Sequence, residues 1–227
     1  MKNLYVYKKK FVYIGISVAV LTIAVSLSFS LFHNNLELIP VSSPKLIPVS
    51  SPELNFTYQE SNAKLKEILA SHGISMSSAV KLSTTKDIER FCSFFADKDK
   101  QKQVQYCTST ELRDSDGKFL GNIHMVGSQN MPKIVLVVIQ TDPFMQNLDE
   151  LKTVYGVVIE NLVCNCWEDV KPSKIETVGD WVDKQRDFHT SDVKPTSESN
   201  LSIRGMHLQM ELTTNTEGYL WKLLISG

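Results

Sequence analysis

Four cysteines, Cys92, Cys107, Cys164 and Cys166, are the residues of this sequence best equipped for chemistry. Four thiols allow two disulfides in three connectivities. Cys92 and Cys107 would close a short local loop, worth about 3 kcal/mol in the loop-entropy model. That choice leaves Cys164-Asn165-Cys166, a pair across one residue, which an extended chain holds near the upper limit of Cα separation for bridging. The alternative is crossed pairing, in which Cys92 and Cys107 each meet one of Cys164 and Cys166. Either way, all four cysteines are expected to be structural.

Two thiolates one residue apart can also chelate a soft ion such as copper(I) or zinc. Zinc sites usually separate their cysteines by two to four residues and need further ligands. Those available are His189, His207 and His124, with Met206 and Met210 as soft donors. However, Met206, Leu208, Met210 and Leu212 alternate on one strand face, the pattern of a core, and His207 points the other way. No metal and no cofactor is therefore expected. His124 falls opposite Ile123 and Met125 and reads as an exposed polar residue. Asp114-Ser115-Asp116-Gly117 begins like a calcium loop, but Lys118 and Phe119 stand where oxygen ligands are needed, so it reads as a hairpin turn. Gly127-Ser128 lacks the flanks of a nucleophile elbow. The chain contains neither a HExxH motif nor a glycine-rich phosphate loop. No catalytic residue is assigned.

The elements that must position these residues change period along the chain. Lys64–Ser71 is expected to form a short amphipathic helix. Thr84 and Asp87 have capping-box spacing before a helix over 85–95, with Ile88, Phe91, Cys92 and Phe95 on one face. Alternation over Val104–Leu112 and Phe119–Met125 around the Asp114–Gly117 turn predicts a β-hairpin. Ile134–Ile139 (IVLVVI) is a continuous apolar run and reads as a central strand buried on both faces. Asn147 and Glu150 open the strongest helix, with Leu148, Leu151, Tyr155, Val158, Ile159 and Leu162 aligned. A further helix is expected over Asp180–Phe188. Two strands, Ser202–Leu212 and Tyr219–Ile225, close the chain. The order predicts an α+β sandwich with a mostly antiparallel sheet.

Residues 11–32 (FVYIGISVAVLTIAVSLSFSLF) form 22 uncharged, mostly apolar positions, enough for a transmembrane helix. Their length exceeds the usual 7–15 residues of a cleaved signal core. Lys2, Lys8, Lys9 and Lys10 precede them, and no acidic residue occurs before Glu37. Positive charge stays cytoplasmic, so residues 1–10 are expected inside and everything after the span outside. Residues 33–59 read as a Pro/Ser-rich stalk, because LIPVSSPK at 38–45 recurs as LIPVSSPE at 46–53. Prolines at this density favour an extended chain of roughly 3.1 Å per residue. Residues 60–227 are expected to fold as one extracytoplasmic domain. Asn55-Phe56-Thr57 and Asn200-Leu201-Ser202 are glycan acceptor sequons.

All 25 acidic residues follow the apolar segment, with 20 of the 24 Lys and Arg, so the charge there is 20 − 25 = −5. Lys98, Lys100 and Lys102 alternate with Asp97 and Asp99 rather than forming a basic block. Nucleic-acid binding has no electrostatic footprint here. The expected partners are the lipid bilayer, through residues 11–32, and a protein of the cell envelope. The sequence thus points to a membrane-tethered extracytoplasmic binding or envelope-structural module. A metal or redox protein using Cys164 and Cys166, or an enzyme of unrecognised type, is the alternative.

Overall fold

The computed structural model describes residues 53–92, 104–191 and 194–227, all within the C-terminal unit Lys45–Gly227. The expected span 11–32 and the stalk as far as Pro52 lie outside these residues. Among the described residues no helix is long and apolar enough to cross a membrane.

The fold is α+β, built on one antiparallel eight-stranded sheet. Helix α1 (Tyr58–Ser71) leads to two short edge strands, β1 (Ser75–Met76) and β2 (Val80–Leu82), and to helix α2 (Thr85–Phe91). A meander follows: β3 (Tyr106–Arg113), β4 (Phe119–Gly127) and β5 (Pro132–Thr141). Helices α3 (Leu148–Leu162), α4 (Trp167–Val170) and α5 (Val178–Ser191) come next, and a second meander, β6 (Thr196–Ile203), β7 (Met206–Asn215) and β8 (Gly218–Ser226), ends the chain. The sheet order is β1-β3-β4-β5-β8-β7-β6, and β2 also pairs with β3.

Strand β5 holds the centre because its apolar run can be buried on both faces, with Ile134, Val135, Leu136, Val137 and Ile139 all buried. Helix α3 lays Leu148, Leu151, Val154, Tyr155, Val158, Ile159 and Leu162 against the sheet, and α1 and α5 flank it. Thr84 accepts a hydrogen bond from the Asp87 amide, and Thr177 and Asp180 exchange bonds at the start of α5. These caps satisfy amides that have no partner within the helix. A smaller apolar cluster, Leu82, Ile88, Cys92, Val104, Cys107, Val126 and Ile134, sits under α2.

Several expectations change, among them the start of the first helix, which is Tyr58 rather than Lys64. The packed domain starts before residue 60: Leu54 is 2 % exposed and its amide donates to the Pro132 carbonyl at 2.8 Å. The apolar residues Leu54, Phe56 and Tyr58 follow the last proline of the repeat and join the core. The closing hairpin is a three-stranded meander, because the expected strand Ser202–Leu212 turns back at Arg204-Gly205. Both residues have positive φ, 50° and 82°, the demand of the tight two-residue hairpin turn. Phe91, expected on the buried face of α2, is 48 % exposed, whereas Ile88 and Cys92 are buried.

Candidate functional site

The cysteines pair locally. Cys92 and Cys107 lie at disulfide distance with Cα atoms 6.5 Å apart, joining the end of α2 to β3. Cys164 and Cys166 do the same with Cα atoms 5.2 Å apart. That is closer than an extended chain allows, because the backbone is still turning as it leaves α3: the Val163 and Cys164 amides both donate to the Ile159 carbonyl. Crossed pairing fails because Cys107 belongs to the small cluster under α2, whereas Cys164 and Cys166 pack with the main core.

The other candidate ligands do not join them. His189 is 1 % exposed, with Nδ1 2.8 Å from the Ser197 hydroxyl and Nε2 2.8 Å from that of Thr214. Gln185 donates to the same Ser197 oxygen, so the network fastens α5 to β6 and β7. Burial, and then the nearby Lys194 charge, hold the His189 pKa below its ordinary value. His207 is exposed, and its Nδ1 lies 3.2 Å from the Ser202 hydroxyl. Met210 is fully buried and Met206 packs against the same core. Among the described residues no group of three or more His, Cys, Asp or Glu converges on one point. His124, expected to be exposed, is partly buried between its neighbours Ser109 and Leu136, and burial pushes its pKa down to about 4.

Asp114 forms the expected hairpin turn. Its carboxylate accepts the Asp116 and Lys118 amides, and Gly117 takes φ of 78°. Its oxygen is therefore committed to the turn. Glu198 and Glu211 face each other across β6 and β7, and Lys222 donates to Glu211 at 2.6 Å. Burial, followed by the Glu211 charge, raises the Glu198 pKa.

Among the described residues, polar side chains line a cleft of about 660 Å³ between α1 and the β2–β3 edge of the sheet. Tyr58, Gln59, Asn62 and Lys66 line it from α1, at one end of which stands Thr57. The opposite wall is Ser77, Ser78 and Lys81 around β2, with Tyr106 and Thr108 of β3 beneath. Gln129 and Asn130 of the β4–β5 turn close one end.

Part of this lining holds itself in place. The Tyr58 hydroxyl donates to the Ser128 carbonyl at 2.7 Å and reaches that of Met131 at 3.2 Å. Its ring meets that of Tyr106 with centroids 4.7 Å apart and planes tilted by 58°. Burial raises the pKa of both phenols, so they stay neutral donors at physiological pH. Asn62 donates to the Tyr58 carbonyl and to Thr108, linking helix to strand. The rest is available: Gln59, Lys66, Lys81 and Gln129 are exposed, and their side chains form no hydrogen bond with the described residues.

None of the described lining residues is acidic. Glu60 turns back to the Thr57 hydroxyl at 2.8 Å, and Glu53 stands near enough to Tyr58 to contribute to its raised pKa. Both acids belong to the end where α1 begins. Lys66 lies six residues beyond Glu60, roughly 9 Å along the helix.

The sequence held one signal for this site. Gln59, Asn62 and Lys66 recur at i, i+3 and i+7, a polar stripe beside the buried Leu65 and Leu69. Reading Thr57 to Gln59 as stalk hid its first turn. Comparison of the chain with protein-family models, with curated proteins and with solved structures gives no match.

Proposed function

We propose that this chain is a membrane-tethered extracytoplasmic binding module whose ligand, a component of the cell envelope, occupies the cleft between α1 and β2. The single observation that carries the reading is the row of unengaged donors, Gln59, Lys66, Lys81 and Gln129, on a cleft otherwise fixed by its own hydrogen bonds. A concave surface with convergent polar groups on rigid elements is the common form of a ligand site. The tether rests on the uncharged segment 11–32 and the lysines before it, and the extracytoplasmic side on the same charge step.

The test uses the full chain reconstituted in nanodiscs and mixed with membrane-free, insoluble envelope material. Saturable co-sedimentation is expected. Ala63 is exposed on the cleft side of α1, so Ala63→Trp should block the cleft without disturbing the core. Retention should fall at least tenfold with the melting temperature unchanged. Retention equal to wild type in the blocked variant rules out the cleft as the site.

A further inference from the structure

We infer that the cleft selects an acidic glycan, a chain of hydroxyl-rich rings bearing carboxylate or phosphate groups; this rests on the binding-module reading above and names its ligand class. The first ground is charge. The residues after the apolar segment sum to −5, yet among the described residues the cleft lining carries Lys66 and Lys81 and no carboxylate. A positive cleft on a mildly negative domain favours an anion at that place.

The second ground is the kind of donor. Gln59 and Gln129 present amides, and Ser78 adds a hydroxyl; such groups both donate and accept, matching the hydroxyls of a sugar. The two lysines are donors only, and suit a carboxylate or phosphate oxygen. The third ground is the tyrosine pair. Tyr106 is half-buried and lines the floor, and its ring is braced by Tyr58 at 4.7 Å, a rigid apolar surface for the C–H face of a sugar ring.

The arrangement also has direction. Glu53 and Glu60 stand near the start of α1, and Lys66 stands roughly 9 Å beyond Glu60 along the helix. A ligand charged on every unit along its length would place an anion beside these acids. The cleft therefore suits a glycan in which acidic and neutral units alternate, the acidic unit seated between Lys66 and Lys81. An acidic peptide fits less well. Strand-wise peptide addition needs a long free edge, and the strands here, β1 and β2, have two and three residues.

The full chain in nanodiscs is titrated with three probes at low and moderate salt. They are an oligosaccharide of alternating uronate and neutral sugars, neutral dextran of equal length, and polyglutamate of equal charge. The expected result is saturable binding of the uronate oligosaccharide that weakens as salt rises, with at least tenfold weaker binding of the other two. Lys66→Glu with Lys81→Glu should reduce uronate binding at least tenfold, and Lys66→Arg with Lys81→Arg should retain it. A phosphate-substituted oligosaccharide of the same backbone separates the two sources of negative charge. Failure of both charged glycans to bind, insensitivity to the charge reversal, or equal binding of polyglutamate overturns the inference. Ala63→Trp keeps the two levels apart. If it abolishes retention on envelope material while neither glycan binds, the module reading survives and the ligand class is wrong. If it changes nothing, the cleft itself is wrong.

Discussion

His124 and His189 both sit in surroundings that disfavour the imidazolium, and this sets the acid response of the domain. Burial lowers both pKa values, so the unfolded chain takes up protons before the folded one as pH falls. The contribution is complete above about pH 6.5 and is lost as pH falls through the folded pKa, which for His124 is about 4. At about 1.4 kcal/mol per unit, His124 alone accounts for on the order of 3 kcal/mol between those limits. Glu198 has the opposite sign: its raised pKa stabilises the fold relatively at low pH and that contribution is lost as pH rises. Urea midpoints at pH 7, 5.5 and 4 should therefore fall steeply for wild type and distinctly less for His124→Gln. Parallel curves would show that His124 is not a source of the slope.

At the level of elements, the same residues explain why some structure was legible in the sequence and some was not. The run Ile134–Ile139 and the apolar stripe of α3 identify their elements because burial on one or both faces leaves a periodic mark. The two-residue strand β1 and three-residue strand β2 leave none, since so few positions cannot show a period. Arg204-Gly205 escaped because Arg rarely takes the positive φ that this turn requires, whereas Asn-Gly would have announced it. The cleft was hidden for a related reason. It joins α1 to β2, β3 and the β4–β5 turn, and a site made by long-range packing has no contiguous motif. Leu54 stands two residues after Pro52 and is already buried. Leu54→Ala should cost about 3 kcal/mol, read as a lowered urea midpoint, because it empties a buried position. A change near zero would show that Leu54 is not part of the core. Replacing both Cys92 and Cys107 by Ala should cost about 3 kcal/mol, given their separation of 15 residues. Replacing Cys164 and Cys166, two residues apart, should cost about half as much, because the loop released is far smaller. The reverse order of losses would mean that the pair after α3 holds the core in some further way.

For the whole molecule, the proposal is one device: the segment 11–32 would fix the address, the proline-rich repeat would provide reach, and the cleft would select. Four prolines within 38–53 favour extension, at about 3.1 Å per residue. A membrane-impermeant amine reagent applied to intact cells should label Lys66 and Lys81, both exposed, with the envelope permeable to the reagent. Labelling only after lysis would place the domain on the other side and remove the proposed ligand from reach. The most direct measurement combines side and site. A photoreactive amino acid is placed at Gln129 in the cleft, and in a separate chain at the exposed Ser173 away from it, and intact cells are irradiated. The account predicts an adduct with extracytoplasmic envelope material from position 129, lost with Ala63→Trp, and none from position 173. Equal adducts at the two positions, an adduct with a cytoplasmic component, or none at all from position 129 would contradict it.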